Sequence, residues 1–259
     1  DYDEINELSN SVYVVKSGDK YGALDHYGQT MIEPKFDKLG DFKNEYAYYI
    51  ENGSYGFVSK SGVVHKAEFD WISDFNDEQI AIVRVNNKYG LVNSTGKRVL
   101  QPVYDQIIKT SAPYFIIVQG NSYGFFSSGG CFVCPVIYDY TREKTSEYYT
   151  DGRWFKLIKK GEQAMMDENG HIIIDFDSFE EINFSKCGLT RVKRKKKYGF
   201  IDRKGNSSIP FKYSEATDFA DSVALVKLKK DYKLITVLGK EIFSSESKPL
   251  KLSARYFTL

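Results

Sequence analysis

A chain of 259 residues with a net charge of +1, 42% hydrophobic and 27% charged residues has the make-up of a globular protein, which excludes a disordered or collagen-like chain. Three cysteines are too few and too odd in number for a disulfide framework, and no apolar run approaches the length of a membrane-spanning helix. The near-neutral total hides a division: residues 1–150 hold 14 Lys and Arg against 20 Asp and Glu, whereas residues 151–259 hold 22 against 15. An acidic half is followed by a basic half, a cue to look for an anionic partner.

Along the chain an aromatic-glycine pair, two apolar residues, a small polar residue and a second glycine recur with fixed spacing. Tyr21-Gly22 leads to Gly28, Tyr55-Gly56 to Gly62, Tyr89-Gly90 to Gly96, Tyr123-Gly124 to Gly130 and Tyr198-Gly199 to Gly205. Two copies are worn: Gln163-Ala164 precedes Gly170 and Tyr232-Lys233 precedes Gly239. Successive copies lie 34, 34, 34, 40, 35 and 34 residues apart, the period of a repeat architecture.

Each repeat opens on an aromatic-acid pair, such as Tyr2-Asp3, Phe36-Asp37, Phe69-Asp70, Tyr104-Asp105 and Phe179-Glu180. An apolar strand follows (Val12-Tyr13-Val14-Val15, Ile80-Ala81-Ile82-Val83), apolar on both faces and so covered on both sides by neighbouring repeats. Asn, Gly and Asp then mark a hairpin into the Tyr-Gly strand. That strand ends in turns such as Asp25-His26-Tyr27-Gly28, Asn93-Ser94-Thr95-Gly96 and Asp202-Arg203-Lys204-Gly205, the side-chain pattern of a type I turn. A further strand, often stopped by Pro34, Pro102, Pro135 or Pro210, completes the unit. The reading is all-β: a tandem array of seven 34-residue antiparallel meanders of three strands, with the aromatic-acid segment as a candidate short fourth. The array forms one continuous domain over residues 1–243, and residues 244–259 are a C-terminal cap or an extra edge strand. Two stackings fit, an open superhelical array or a closed seven-bladed propeller.

These aromatic-glycine pairs, polar turns, strand-ending prolines and aromatic-acid pairs resemble the WG-repeat (KWG-repeat) family of bacteria over nearly the whole chain, with Tyr where the family has Trp. The resemblance implies a binding or scaffolding repeat protein. Because some members look exported or envelope-associated, it also implies a lean towards export. The sequence has no signal-peptide pattern and no initiator Met, in keeping with a chain that begins after a removed segment or is an excerpt of a longer one.

The chemistry-bearing residues favour structural roles. Cys131-Phe132-Val133-Cys134 has the C-x-x-C spacing of zinc and redox sites, yet residues three apart on a strand face opposite ways and no second ligand pair is near. Cys134 falls in the apolar column of Ile32, Leu100 and Ile209 and reads as core. His26, His65 and His171 are scattered over three repeats and read as surface or turn residues; Asp25, Asp167 and Asp202 read as turn caps. No catalytic residue, metal ligand or cofactor is expected.

Two irregularities stand out. The 40-residue interval carries an insertion over residues 140–152, which with its neighbour Trp154 offers Tyr148, Tyr149 and Trp154 as binding aromatics. A basic row also crosses the last repeats. Lys156 and Arg191 occupy the column of Val14, Tyr48, Ile82, Ile116 and Leu225, while Lys159 aligns with Arg194 and Lys160 with Lys195. Lys193, Lys229 and Lys230 extend the row. The favoured function is a non-enzymatic binding or scaffold protein presenting its repeat surface to a protein, glycan or other polymer. One alternative is an anionic polymer or membrane surface held by the basic row, with weak self-association through the acidic half of another copy. A second alternative is an enzyme with a site in the groove of the array.

Overall fold

The computed structural model describes residues 2–8, 12–110, 113–142, 154–183, 188–220, 222–248, 251–253 and 256–258, and contains no α-helix among them. Seven antiparallel sheets follow one another in the chain, each hydrogen-bonded in sequence order. The first consists of Glu4–Leu8, Val12–Ser17, Lys20–Leu24 and Thr30–Phe36. The third, of the same design, consists of Trp71–Ile72, Ile80–Val85, Lys88–Asn93 and Arg98–Tyr104. The tandem all-β meander read from the sequence is therefore what the chain forms. The segment after the aromatic-acid pair is a true strand in six of the seven sheets; the fifth has three strands among the described residues. Past the seventh sheet, Lys251–Ser253 pairs with Tyr256–Thr258 as a separate hairpin.

The chain divides into two compact units, Asp1–Gly120 with Gly124–Phe132, and Asn121–Tyr123 with Val133–Leu259. Within each unit the core forms where consecutive sheets meet. In the first unit Val14, Ala23, Ile32 and Phe36 of one sheet pack with Leu39, Phe42, Ala47 and Tyr49 of the next. The Phe36 and Tyr49 rings stack 4.0 Å apart. In the second unit Phe200, Ile209 and Tyr213 pack with Phe219, Ala224, Val226 and Ile235 in the same way. A fully buried side chain of this size contributes roughly 1.5–3 kcal/mol, and one sheet alone has nothing to bury it against.

The signature glycine answers a close approach. At Gly90 an added Cβ would lie 2.5 Å from the Leu100 carbonyl oxygen and 2.7 Å from the Pro102 nitrogen, and the strand register slips between Tyr89 and Leu91 at that point. Tyr21, Tyr55 and Tyr198 are partly buried against the cores shared with the following sheet. The closing turns are as read: the Asn93 side chain accepts from the amides of Thr95 at 3.1 Å and Lys97 at 2.9 Å, and Gly96 follows at φ 82°.

Candidate functional site

The aromatic-acid pair is a latch. In every repeat from the first to the sixth its carboxylate accepts a backbone N–H from the hairpin that leads into the strand of the aromatic-glycine pair or its worn counterpart. Asp3 takes Gly18 at 2.6 Å, Asp37 takes Asn52 at 2.7 Å, Asp70 takes Asn86 at 2.7 Å and Asp105 takes Gly120 at 2.6 Å. Asp139 takes Lys160, and the longer Glu180 reaches one residue on, to Lys196 at 3.0 Å. The seventh repeat has Ser214 instead, whose hydroxyl donates to the Lys227 carbonyl at 3.3 Å. Lys20 and Lys88 of the preceding repeats add ion pairs to Asp37 and Asp105, each at 2.5 Å. The Lys20 ammonium, with the Asn52 amide, holds the Asp37 carboxyl below its usual value; at Asp105 the Gly120 amide leads and Lys88 adds to it.

The latched turns carry the candidate site. Both central residues are left-handed at Asn52-Gly53 (φ 51° and 79°) and Asn86-Asn87 (50° and 60°), as a two-residue hairpin of the mirror-image type requires. The second unit keeps this geometry at Lys160-Gly161 (51° and 81°) and Lys195-Lys196 (49° and 60°). Lys229 in the seventh repeat takes φ 58°, as Gly18 (59°) and Gly120 (58°) do in theirs. Lysine thus fills positions that Gly and Asn fill in the first four repeats. Lys159, Lys160, Arg194, Lys195, Lys196, Lys229 and Lys230 are all exposed.

Other members of the row lie elsewhere. Lys156 is only 5% exposed and Trp154 only 8%, which closes both to a partner; Trp154 packs with Met165, Ile174 and Ile182. Arg191 is spent inside the unit: its guanidinium donates to Asp218 at 2.8 Å and to the Ala216 carbonyl at 2.6 Å, and lies 3.4 Å from Glu181. Lys193 sits over the Tyr198 ring at 5.2 Å and Arg194 over Phe211 at 4.5 Å, leaving Arg194 half engaged. Tyr148 and Tyr149 lie outside the described residues. The structure therefore separates the row into an inner column and an outer set at the turns. The alignment of Lys160 with Lys195 was legible, but their left-handed backbone was not, and Lys196 was missed with it.

Cys131 is exposed, just ahead of the strand Phe132–Asp139, and Cys134 is buried on that strand; no group of three or more His, Cys, Asp or Glu is placed to hold a metal among the described residues. His65 differs from its reading. It lies on a strand rather than a turn, half-buried and stacked on Phe57 with ring centroids 4.3 Å apart. Its register partner Phe57 puts it in the column of Ile32 and Leu100, and burial holds its pKa below the usual value. In the first unit, Tyr48, Trp71, Asp41, Lys43 and Asp74 line an open cleft of about 470 Å³, with Trp71 36% exposed. The equivalent groove in the second unit is where Arg191 meets Asp218.

Among the described residues, no helix is long and apolar enough to cross a membrane. No curated protein matches the chain. Among solved structures it is similar to a eukaryotic initiation factor (9% identity, 94% of this chain and 87% of the other, TM-score 0.33). It is also similar to Hsv2p of Kluyveromyces lactis (8%, 90% and 92%, 0.31) and to the CNH domain of AfRom2 (6%, 98% and 88%, 0.30). At such scores these likenesses carry no argument. The pattern of the WG containing repeat, in contrast, matches residues 21–55, 55–89, 89–123, 165–198 and 198–232, each match running from one aromatic-glycine strand to the next. With most of its length matched in this way, the chain belongs to the WG containing repeat family.

Proposed function

We propose that this is a non-enzymatic binding protein whose hairpin turns in the second unit hold an acidic polymer or an acidic protein surface. The left-handed lysine carries the reading. Lys160, Lys195, Lys196 and Lys229 adopt backbone conformations that cost roughly 1 kcal/mol or more for a residue with a Cβ, and Asn or Gly would serve the turn better. A residue that works against its own local structure serves something other than the fold. Presented at equivalent turns of successive repeats, these ammonium groups repel one another, and an acidic chain laid along them relieves that repulsion.

The test exploits the conflict. Lys195→Asn with Lys196→Gly rebuilds the Asn52-Gly53 turn of the second repeat. It is expected to stabilise the fold while weakening binding to heparin and making that binding less sensitive to salt. Lys38→Gln with Lys66→Gln, two exposed lysines of the first unit, serves as control and is expected to leave binding unchanged. Equal heparin affinity in the turn variant and the wild type ends this reading. The same variants, followed by sedimentation at low salt, report on self-association. A glycan partner is the second reading, favoured by the exposed Trp71 beside Tyr48 in its cleft; Trp71→Ala abolishing binding to a neutral polysaccharide would support it.

A further inference from the structure

Strand register lays the repeats over one another, and two of their grooves then differ in one respect. Tyr48 of the second repeat pairs with Phe57, and Arg191 of the sixth pairs with Phe200, in each case the residue after the glycine. Tyr48 and Arg191 therefore occupy the same place. In the repeats that follow them, Ile72 pairs with Val83 and Ala216 with Val226. One residue on, the Ser73 and Thr217 amides donate to the carbonyls of Ile82 at 2.9 Å and Leu225 at 2.8 Å. The Ser73 and Thr217 hydroxyls in turn accept the amides of Ile82 at 2.9 Å and Leu225 at 3.0 Å. The two segments are thus held alike. Each continues into an exposed acid and a buried phenylalanine, Asp74-Phe75 or Asp218-Phe219.

In the second unit the chain itself fills this groove. Arg191 donates from Nε to Asp218 at 2.8 Å and from a terminal nitrogen to the Ala216 carbonyl at 2.6 Å, with its guanidinium 5.3 Å from the Tyr198 ring centre. In the first unit Tyr48 packs against Tyr55 with ring centroids 5.7 Å apart, as Arg191 does against Tyr198, but a phenol brings no guanidinium. Ile72 and Asp74 then border the open cleft of about 470 Å³. Asp41 lines it too, exposed, and joins no hydrogen bond or ion pair among the described residues. Lys43 meets Asp74 at 2.9 Å, but the two side chains are 56% and 49% exposed. A pair so exposed contributes little, and a carboxylate has lone pairs for a second donor. Two carboxylates against one ammonium leave the cleft in favour of a cation. Trp71, in the place of Glu215, adds an aromatic wall.

We infer that this cleft takes the arginine side chain of a basic peptide segment from a partner protein, with Asp74 and the Ile72 carbonyl receiving the guanidinium and Trp71 stacking on it. Arg191 shows which chemistry the equivalent acceptors take. A carboxylate and a carbonyl side by side suit the planar fork of a guanidinium better than the compact ammonium of lysine, and a guanidinium also lies flat on an indole. Free arginine brings a carboxylate that Asp41 and Asp74 repel, whereas an arginine within a chain does not. The acidic balance of residues 1–150, 14 Lys and Arg against 20 Asp and Glu, favours a basic segment. This cleft lies in the first unit and owes nothing to the lysine turns. It is the cleft of the glycan reading, given a different occupant.

The experiment is a titration of the full chain followed by NMR of the Trp71 indole N–H and the Ser73 and Asp74 amides. The probes are end-blocked pentapeptides with a central arginine, lysine or citrulline (the neutral isostere of arginine) between glycines, together with free arginine and maltohexaose. Saturable shifts are expected with the arginine peptide, several-fold weaker binding with the lysine peptide and free arginine, and none with the citrulline peptide. Asp74→Asn is expected to weaken the arginine peptide about ten-fold or more, and Trp71→Ala several-fold. Glu33→Gln, which alters an exposed acid of the first repeat, is expected to change nothing. Asp74→Asn keeps the shape of an exposed side chain and is expected to fold as the wild type does. Its heparin binding is expected to stay at the wild-type value, which separates this inference from the proposal at the lysine turns. No saturable shift with the arginine peptide, equal affinity for the lysine peptide, the citrulline peptide or free arginine, or undiminished affinity in Asp74→Asn would each overturn the inference. Shifts with maltohexaose and not with the arginine peptide would overturn it in favour of the glycan.

Discussion

The third and fifth repeats share a hairpin and little else. Their turns, Asn86-Asn87 and Lys160-Gly161, take nearly the same backbone angles, and both are latched by an aspartate, Asp70 or Asp139. Yet the third has Tyr89-Gly90 and Pro102, while the fifth has Gln163-Ala164 and a short edge strand, Ile172–Ile174, with no proline. Where the edge strand carries the proline, the glycine is present: Gly22 lies under Pro34 and Gly90 under Pro102, whereas Ala164 and Lys233 stand in two of the three sheets whose edge strands lack proline. Gly56, in a repeat without that proline, lies instead under the Tyr49 ring, where a Cβ would be 2.5 Å away. The family's most visible residue is thus a local answer to close approach. The latched turn is what survives when that answer is given up.

The largest effect expected from this contrast comes from exchanging the two residues. Gly90→Ala forces a Cβ into the Leu100 carbonyl and the Pro102 ring nitrogen and is expected to cost about 1–3 kcal/mol. Ala164→Gly, at a position with no such approach, is expected to cost less, about 0.5–1 kcal/mol from chain entropy. Denaturant unfolding of the two variants measures the difference. A Gly90→Ala midpoint equal to that of the wild type would mean that the edge strand shifts freely and that the pairing of glycine with proline has another cause.

A smaller, signed effect is expected at the turns. Lys160→Asn gives the fifth repeat the Asn-Gly pair of the second and is expected to gain about 0.5–1 kcal/mol; Asn86→Lys in the third is expected to lose a similar amount. If both substitutions are neutral, lysine is at ease in these turns, and the strain invoked for the binding proposal is absent. Thermal unfolding at high salt, where repulsion between lysines is screened, separates backbone strain from charge.

Much of this was legible in the residues. Period, strand order and closing turns are local patterns, and Asn93 to Gly96 or Asp202 to Gly205 announce themselves within four positions. The aromatic-acid pair was visible as a recurrence, but its purpose was not. Asp37 meets Asn52 fifteen residues ahead, and only the strand register shows that the two coincide. The same holds for the candidate sites. Lys156 and Arg191 lie in sequence beside the exposed lysines of the row but in a column that is apolar in the other repeats, and strand alternation sends them inward, where Arg191 finds Asp218.

The smallest effect expected sets His65 against its counterpart in the fifth repeat. Register pairs His65 with Phe57 and Ile174 with Met165, so the imidazole stands in a column that is aliphatic in the fifth repeat. Burial holds its folded pKa below the ordinary 6.5, which means the fold prefers the neutral ring. The stability this contributes is complete above the unfolded pKa and is lost as pH falls from there through the folded value. The latches behave similarly but much lower: Asp37 and Asp105 are depressed from 3.8, so their contribution is lost only in stronger acid. Between neutral pH and about pH 5 the wild type is therefore expected to lose stability through His65 while the aspartate latches hold. His65→Ile, which copies the fifth repeat, is expected to flatten that part of the profile and leave the acid limb below the carboxylate range unchanged. Parallel profiles for the two proteins across the histidine range would show that the ring is solvated in the fold, and that this column tolerates a charge as readily as it does an aliphatic side chain.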